Sequence, residues 1–334
     1  MTLTHVLLLI LSMSLSVAQT PSRLQPDPPH NCGDCAGWNK PHEPFRVFGN
    51  TYYVGVDGLS AILITGAQGS ILLDGGLPQS APLIDASIRK LGFRTEDIKL
   101  IVNSHAHYDH AGGIAALQRA SGATVAASAA GAKAIERGEP TPDDPQFAFG
   151  REANKFPAVK GVRTVADGET LRVGDLAITA HLTPGHTPGA TTWSWRSCEG
   201  TRPGAGSGPQ RGEGRCYDIV YADSLNAVSA PGFRFTGDAT HPSLIPAFRA
   251  TIAKIRALPC DIVIAVHPGF TDVAGKLKRR QENPARDPFV NAGGCRAYAD
   301  AASKRLDARI AEEPRLRLSA SARQALRAAI RSRP

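Results

Sequence analysis

The sequence has 334 residues, of which 42 % are apolar and 20 % charged, and a formal net charge of +8. That balance suits a soluble globular chain with one large core and excludes a fibrous or wholly disordered one. Much of the positive charge gathers at Arg315, Arg317, Arg323, Arg327, Arg331 and Arg333; without interleaved aromatics to stack bases, this reads as a solvated basic helix and not as a nucleic-acid surface.

In chain order, Val6 to Val17 is a short apolar run, too short to cross a bilayer core of about 30 Å, and it ends in Ser16-Val17-Ala18. Residues 1–18 are therefore expected to be a signal peptide directing export to the periplasm, with a buried N-terminal strand as the alternative. No later stretch is apolar enough for membrane insertion after cleavage. Residues 19–44 read as an irregular arm, 45–310 as the main domain and 311–334 as a basic helical extension. A monomer is expected.

Strands are predicted at Thr51–Val56, Ser60–Thr65 and Ser70–Asp74, a helix over Gln79–Leu91, and a doubly buried strand at Ile98–Val102. A helix over Ala111–Ala120, a strand near Thr124 and a helix over Ala129–Arg137 follow. Val162–Thr183 alternates and turns at Asp167-Gly168 and Gly174-Asp175, as antiparallel strands do. Thr191–Ser197 and Asp218–Ala222 are further strands, flanking a Gly/Pro/Arg-rich loop from Glu199 to Arg215. Ser243–Leu258 is helical, Asp261–Val266 a strand and Cys295–Ile310 a helix. The alternation implies an α/β chain of two sheets with helices outside.

Six cysteines in an exported chain favour disulfides. Cys198 with Cys216, across the base of the loop, Cys260 with Cys295, and Cys32 with Cys35 are the suggested pairs, though sequence does not fix connectivity. Cys32-x-x-Cys35 could also be a redox or zinc pair, but no second such motif completes a zinc cage.

The chemistry concentrates in Ser104-His105-Ala106-His107-Tyr108-Asp109-His110-Ala111-Gly112-Gly113, between a strand and a helix. In an extended segment His105 and His107 project to the same side, and Asp109 and His110 emerge from the turn that follows. Imidazole nitrogens and a carboxylate are what Zn²⁺ favours. His186, in Thr183-Pro184-Gly185-His186, and His267, in Val266-His267-Pro268-Gly269, each follow a strand, where α/β folds gather ligands. Six side chains fit two Zn²⁺ ions better than one: His105, His107 and His186 on the first, Asp109, His110 and His267 on the second. A zinc held by three neutral histidines brings the pKa of its bound water toward about 7, giving a hydroxide able to attack a carbonyl. Histidines 5, 30, 42, 181 and 241 read as surface or satisfied core residues.

These motifs, together with Gly49–Gly55, Ile71–Gly76 and Tyr221-Ala222-Asp223-Ser224-Leu225, resemble the metallo-β-lactamase superfamily, and within it subclass B3. The resemblance spans roughly Phe45 to Tyr298. It implies a four-layer αββα sandwich of two mixed β-sheets and hydrolysis of the lactam amide of penicillins, cephalosporins and carbapenems, conferring antibiotic resistance. It further implies Ser224 in place of a cysteine ligand, Asn226 near the substrate carboxylate, and Asp74 orienting a ligand histidine through a hydrogen bond. The Cys260–Cys295 pair is similar to a bridge of that subclass. Two features depart from the pattern, the long Glu199–Arg215 loop and Phe270-Thr271-Asp272 where a small residue and a serine are expected; the extension beyond Leu316 falls outside the resemblance. A glyoxalase II-type thioesterase or a lactonase is the alternative, with Asp223 as a metal-bridging carboxylate. A non-enzymatic zinc-binding protein is a further one, although a flexible histidine-rich tract is missing.

Overall fold

The structure, a computed structural model, describes residues 24–199, 214–239 and 241–316. The expected leader, the interior of the Glu199–Arg215 loop and the basic tail past Leu316 lie outside the described residues.

After a short helix α1 (Cys35–Trp38), the first sheet contains β1 (Phe45–Phe48), β2 (Thr51–Tyr53), β3 (Ile62–Gly66), β4 (Gly69–Leu73), β5 (Ile98–Val102), β6 (Thr124–Ser128) and β7 (Arg163–Val165), side by side in that order. Neighbours run antiparallel from β1 to β4 and parallel from β4 to β7. The second sheet has the spatial order β12 (Ile262–Ala265), β11 (Cys216–Ala222), β10 (Thr191–Cys198), β9 (Leu176–Leu182) and β8 (Thr170–Val173). Its neighbours are antiparallel except the parallel β11–β12 pair. Both sheets are mixed.

Strand β5 shows why the layers form. Leu100 and Val102 face the second sheet and join Ile178, Trp193, Ile219 and Tyr221 in the inter-sheet core. Ile98 and Ile101 face outward to α2 (Ala81–Lys90), α4 (Ile114–Ser121) and α5 (Ala129–Arg137), which bury Ile84, Ile88, Leu117 and Ile135 there. On the far side, α7 (Ile245–Ala257) and α9 (Gly294–Leu316) cover the second sheet with Phe248, Ile255, Tyr298 and Leu306 against Val220 and Val263. Apolar side chains on both faces of each sheet thus demand helix, sheet, sheet, helix.

Two elements differ from expectation. β7 pairs parallel with β6 in the first sheet, so Asp167-Gly168 carries the chain across to the second sheet, and only Gly174-Asp175 closes a hairpin. A turn dipeptide marks a reversal without naming the strand's partner. The helix expected over Ala111–Ala120 is two pieces, α3 (Tyr108–Ala111) and α4, broken at Gly112-Gly113. A Cβ on Gly113 would collide with the Gly75 carbonyl, and one on Gly75 would lie 2.6 Å from the Ile114 nitrogen. This close approach needs glycine on both sides and seats the histidine segment against the end of β4. α6 (Arg151–Asn154), α8 (Val273–Glu282) and β1 form where no element is predicted from the sequence.

All six cysteines are bridged, as Cys32–Cys35, Cys198–Cys216 and Cys260–Cys295. The last closes a separation of 35 residues and staples the start of α9 to the chain entering β12. Replacing both cysteines by alanine is expected to cost about 3–4 kcal/mol through lost loop-closure entropy, or roughly 10 °C in Tm. Calorimetry with the other bridges oxidised measures it, and a shift of about 2 °C or less would make the staple energetically idle.

Candidate metal centre

The site forms where strands of both sheets end. β5 runs into Asn103, Ser104, His105 and His107 before α3; the β9–β10 loop carries His186; His267 follows β12. Asp74, just past β4 at φ 60°, holds the first of these segments in place. Its carboxylate accepts from Asn103 Nδ2 (2.9 Å), Ser104 N (2.7 Å) and Ser104 Oγ (2.6 Å). It also accepts from the Tyr221 hydroxyl of β11 at 2.9 Å, joining the two sheets beneath the cluster. The His186 loop is clamped from α7, where Thr251 Oγ1 donates to Pro184 O at 2.7 Å. Gly185, at φ 154°, lies on the Phe248 ring, where a Cβ would sit 2.8 Å from ring carbons.

The six side chains singled out in the sequence lie together. His105, His107 and His186 form one group whose ligand atoms are all within 4.8 Å of one another, and His105, Asp109 and His110 form another. His267 joins the second: its Nε2 lies 3.3 Å from His110 Nε2 and 3.4 Å from Asp109 Oδ2, and those two atoms are 3.2 Å apart. Two imidazole nitrogens and a carboxylate oxygen at such spacing repel unless a proton or cation lies among them. The donor set fits zinc.

Four of the five histidines have the opposite ring nitrogen held by an acceptor. Asp223 Oδ1 lies 2.7 Å from His105 Nδ1, Asp144 Oδ2 3.1 Å from His107 Nε2, the Asn226 carbonyl 2.7 Å from His186 Nδ1 and the Gly58 carbonyl 3.2 Å from His267 Nδ1. Such acceptors fix ring orientation and leave a lone pair facing inward. His110 Nδ1 is the exception, buried with no hydrogen-bond partner.

The expected Asp74–histidine hydrogen bond is not formed. His110 Nδ1 is 3.8 Å from Asp74 Oδ2, an ion-pair distance, and the carboxylate is spent on Asn103, Ser104 and Tyr221. Asp144 and Asp223 are the carboxylates that hold the outer ring nitrogens of His107 and His105. Burial, together with the Asp74 and Asp109 carboxylates, pushes Asp223 well above the usual carboxylate range, while Ser224 N–H and Ser104 oppose it.

Burial and the neighbouring histidines hold His105 well below its ordinary value. Burial, then His107, carries His186 down to about 3. Burial also disfavours charged His110, but the Asp109 carboxylate beside it outweighs this and raises it. Asp109 is held well below its range by His110 and His267 despite its burial.

The cluster opens into a cavity of about 640 Å³ lined by His107, Asp109, His186, Ser224, Asn226 and His267, among others. Trp38 from α1, Gln146 and Phe270 also line it. The irregular arm thus contributes to the cavity wall, which its composition does not announce. Of the histidines set aside, His30 stacks on Tyr108 at 4.0 Å, His42 contacts Phe45 and Tyr53, His181 bonds Ser194 Oγ at 2.7 Å, and His241 pairs with Asp238. His5 lies outside the described residues.

The family model of the metallo-β-lactamase superfamily matches residues 54–196. The Rm3 metallo-β-lactamase superposes with a TM-score of 0.78 at 47 % identity, covering 85 % of this chain and 99 % of that one. MEM-A1, a subclass B3 metallo-β-lactamase isolated from a soil metagenome library, gives 0.75 at 46 %, covering 83 % and 98 %. A hydroxyacylglutathione hydrolase of Anaeromyxobacter dehalogenans is 27 % identical over 224 residues, 67 % of this chain and 65 % of that protein, so the chain spans under two thirds of that relative. The chain belongs to the metallo-β-lactamase superfamily, in its subclass B3.

Proposed function

We propose that this chain hydrolyses the amide bond of β-lactam antibiotics with two zinc ions, one at His105, His107 and His186 and one at Asp109, His110 and His267. The observation that carries the reading is the pair of three-atom donor groups at one edge of an open cavity, in a chain 46–47 % identical to lactamases. When bound, zinc supplies Lewis-acid polarisation of the carbonyl and acidifies water toward a pKa of about 7. The chain's own groups do the rest. Ser224 and Asn226 line the cavity with polar groups suited to the substrate carboxylate. Asp109, the carboxylate among the six, supplies Oδ2 as the anionic donor of the second group. Asp144 and Asp223 hold His107 and His105 in orientation. The thioesterase alternative needs Asp223 to face the metals as a second, bridging carboxylate. Asp223 is fully buried and bonded to the far nitrogen of His105, which favours the lactam reading.

We further propose export to the periplasm, action as a monomer, and a catalytic unit of residues 45–310. Among the described residues no helix is long and apolar enough to cross a membrane.

The test is turnover of a carbapenem and a chromogenic cephalosporin beside a thioester control, with and without chelator. Chelator-sensitive lactam cleavage is expected. Thioester turnover without lactam cleavage, or bound metal with no hydrolysis at all, would overturn the reading.

Acid should strip the two groups in order. An ion must displace the proton from His110, whose pKa is raised above 6.5, so affinity in the second group begins to fall above that value as pH drops. His105 and His186 are depressed and stay unprotonated to lower pH. Metal per chain across a pH series is expected to fall in two steps; simultaneous loss would contradict the order.

A further inference from the structure

Among the described residues, four large apolar side chains stand out as exposed: Phe147, Phe149, Val228 and Phe270. Two of them, Val228 at 46 % and Phe270 at 38 %, line the metal-centre cavity, and Phe147 directly follows Gln146, which lines it too. Apolar surface left bare around a cavity marks a place where a ligand covers it.

Phe270 is also held in place. It sits in a tight turn after His267, with its N–H donating to the His267 carbonyl at 3.1 Å and Thr271 Oγ1 accepting from Ala265 N at 3.2 Å. Its ring meets the His267 ring edge-on at 6.0 Å and 87°. On another side the Arg305 guanidinium of α9 lies 4.9 Å from the ring centroid. Arg305 Nε and Nη2 are buried with no hydrogen-bond partner among the described residues, so the ring offsets part of the cost of that charge. A half-exposed phenyl ring fixed beside the cluster presents a rigid apolar wall to whatever enters.

Resting on the lactam reading, we infer that Phe270, positioned by Arg305, is a specificity-determining residue that packs on an aryl substituent of the substrate. Trp38 and Val228 are the other apolar contacts. Trp38 lies 5.3 Å from the His267 ring, so His267 has an aromatic neighbour in both α1 and the turn that follows it. An aryl group lying over His267 would therefore bury apolar area against two rings, whereas a small acyl group would reach neither.

The test compares two penicillins on one nucleus, with phenylacetyl and acetyl side chains, measuring KM, kcat and metal per chain. Phe270→Ala is expected to raise KM for the phenylacetyl compound about tenfold more than for the acetyl one, with metal content unchanged. Arg305→Gln should shift the same ratio in the same direction, and Arg305→Lys, which keeps a cation over the ring, should restore it in part. Equal changes in KM for both compounds, or a ratio unmoved in Phe270→Ala, would overturn the inference while leaving the lactam reading intact. Failure of the unmodified chain to cleave either compound would instead take down the lactam reading, and this inference with it.

Discussion

Replacing Asp109 by alanine is expected to cut lactam turnover by about a thousandfold and to empty one metal position while the other stays filled. Asp109 supplies the one carboxylate among six inward-facing groups, 3.2 Å from His110 Nε2 and 3.4 Å from His267 Nε2. Without it two imidazole nitrogens remain 3.3 Å apart with no anion to complete the group. His105, His107 and His186 are untouched and keep their acceptors at Asp223, Asp144 and Asn226. On the two-zinc proposal, metal per chain should therefore fall from two toward one. Retention of both ions, or near-normal kcat with one, would contradict the assignment.

Asp223→Ala separates two roles that the sequence left open. As an orienting group behind His105 it should lower metal affinity about 10- to 100-fold, chiefly in the three-histidine group. A carboxylate shared by both ions would instead empty both positions together. The buried His105 Nδ1 would also lose its acceptor at 2.7 Å, an added stability cost of about 1–3 kcal/mol. Chelator-competition titration of each position distinguishes the outcomes, and unchanged affinity at His105 would remove Asp223 from the site altogether.

Much of this was readable from the residues. The strand at Ile98–Val102 and the helix over Ala129–Arg137 appear with the expected bounds, because an apolar run broken only by Lys99 and a 3.6-residue period are local signals. The histidine segment is local too, and a position just after a strand singles out His186 and His267, whose rings lie beside it. What escaped depends on contacts between distant segments. Asp144 sits in a Pro-rich stretch with no periodicity, and its meaning appears only when it reaches His107, 37 residues away. The Asn226 and Gly58 groups that hold His186 and His267 are main-chain carbonyls, which any side chain could accompany. Asp74 is expected to face a histidine, yet four donors from Asn103, Ser104 and Tyr221 claim it first. The transfer of β7 to the first sheet was likewise invisible, since alternation tells which face is buried but not which edge is free.

The histidine-bearing segments follow β5, β9 and β12, so their anchors lie in both sheets. Trp38, Val228 and Phe270 stand instead on a four-residue helix, an irregular segment and a single tight turn. The cavity therefore joins an unyielding base to an entrance made of separable parts. A substitution in one of these three segments leaves the other two in place, so the entrance can alter its fit to a substituent one residue at a time.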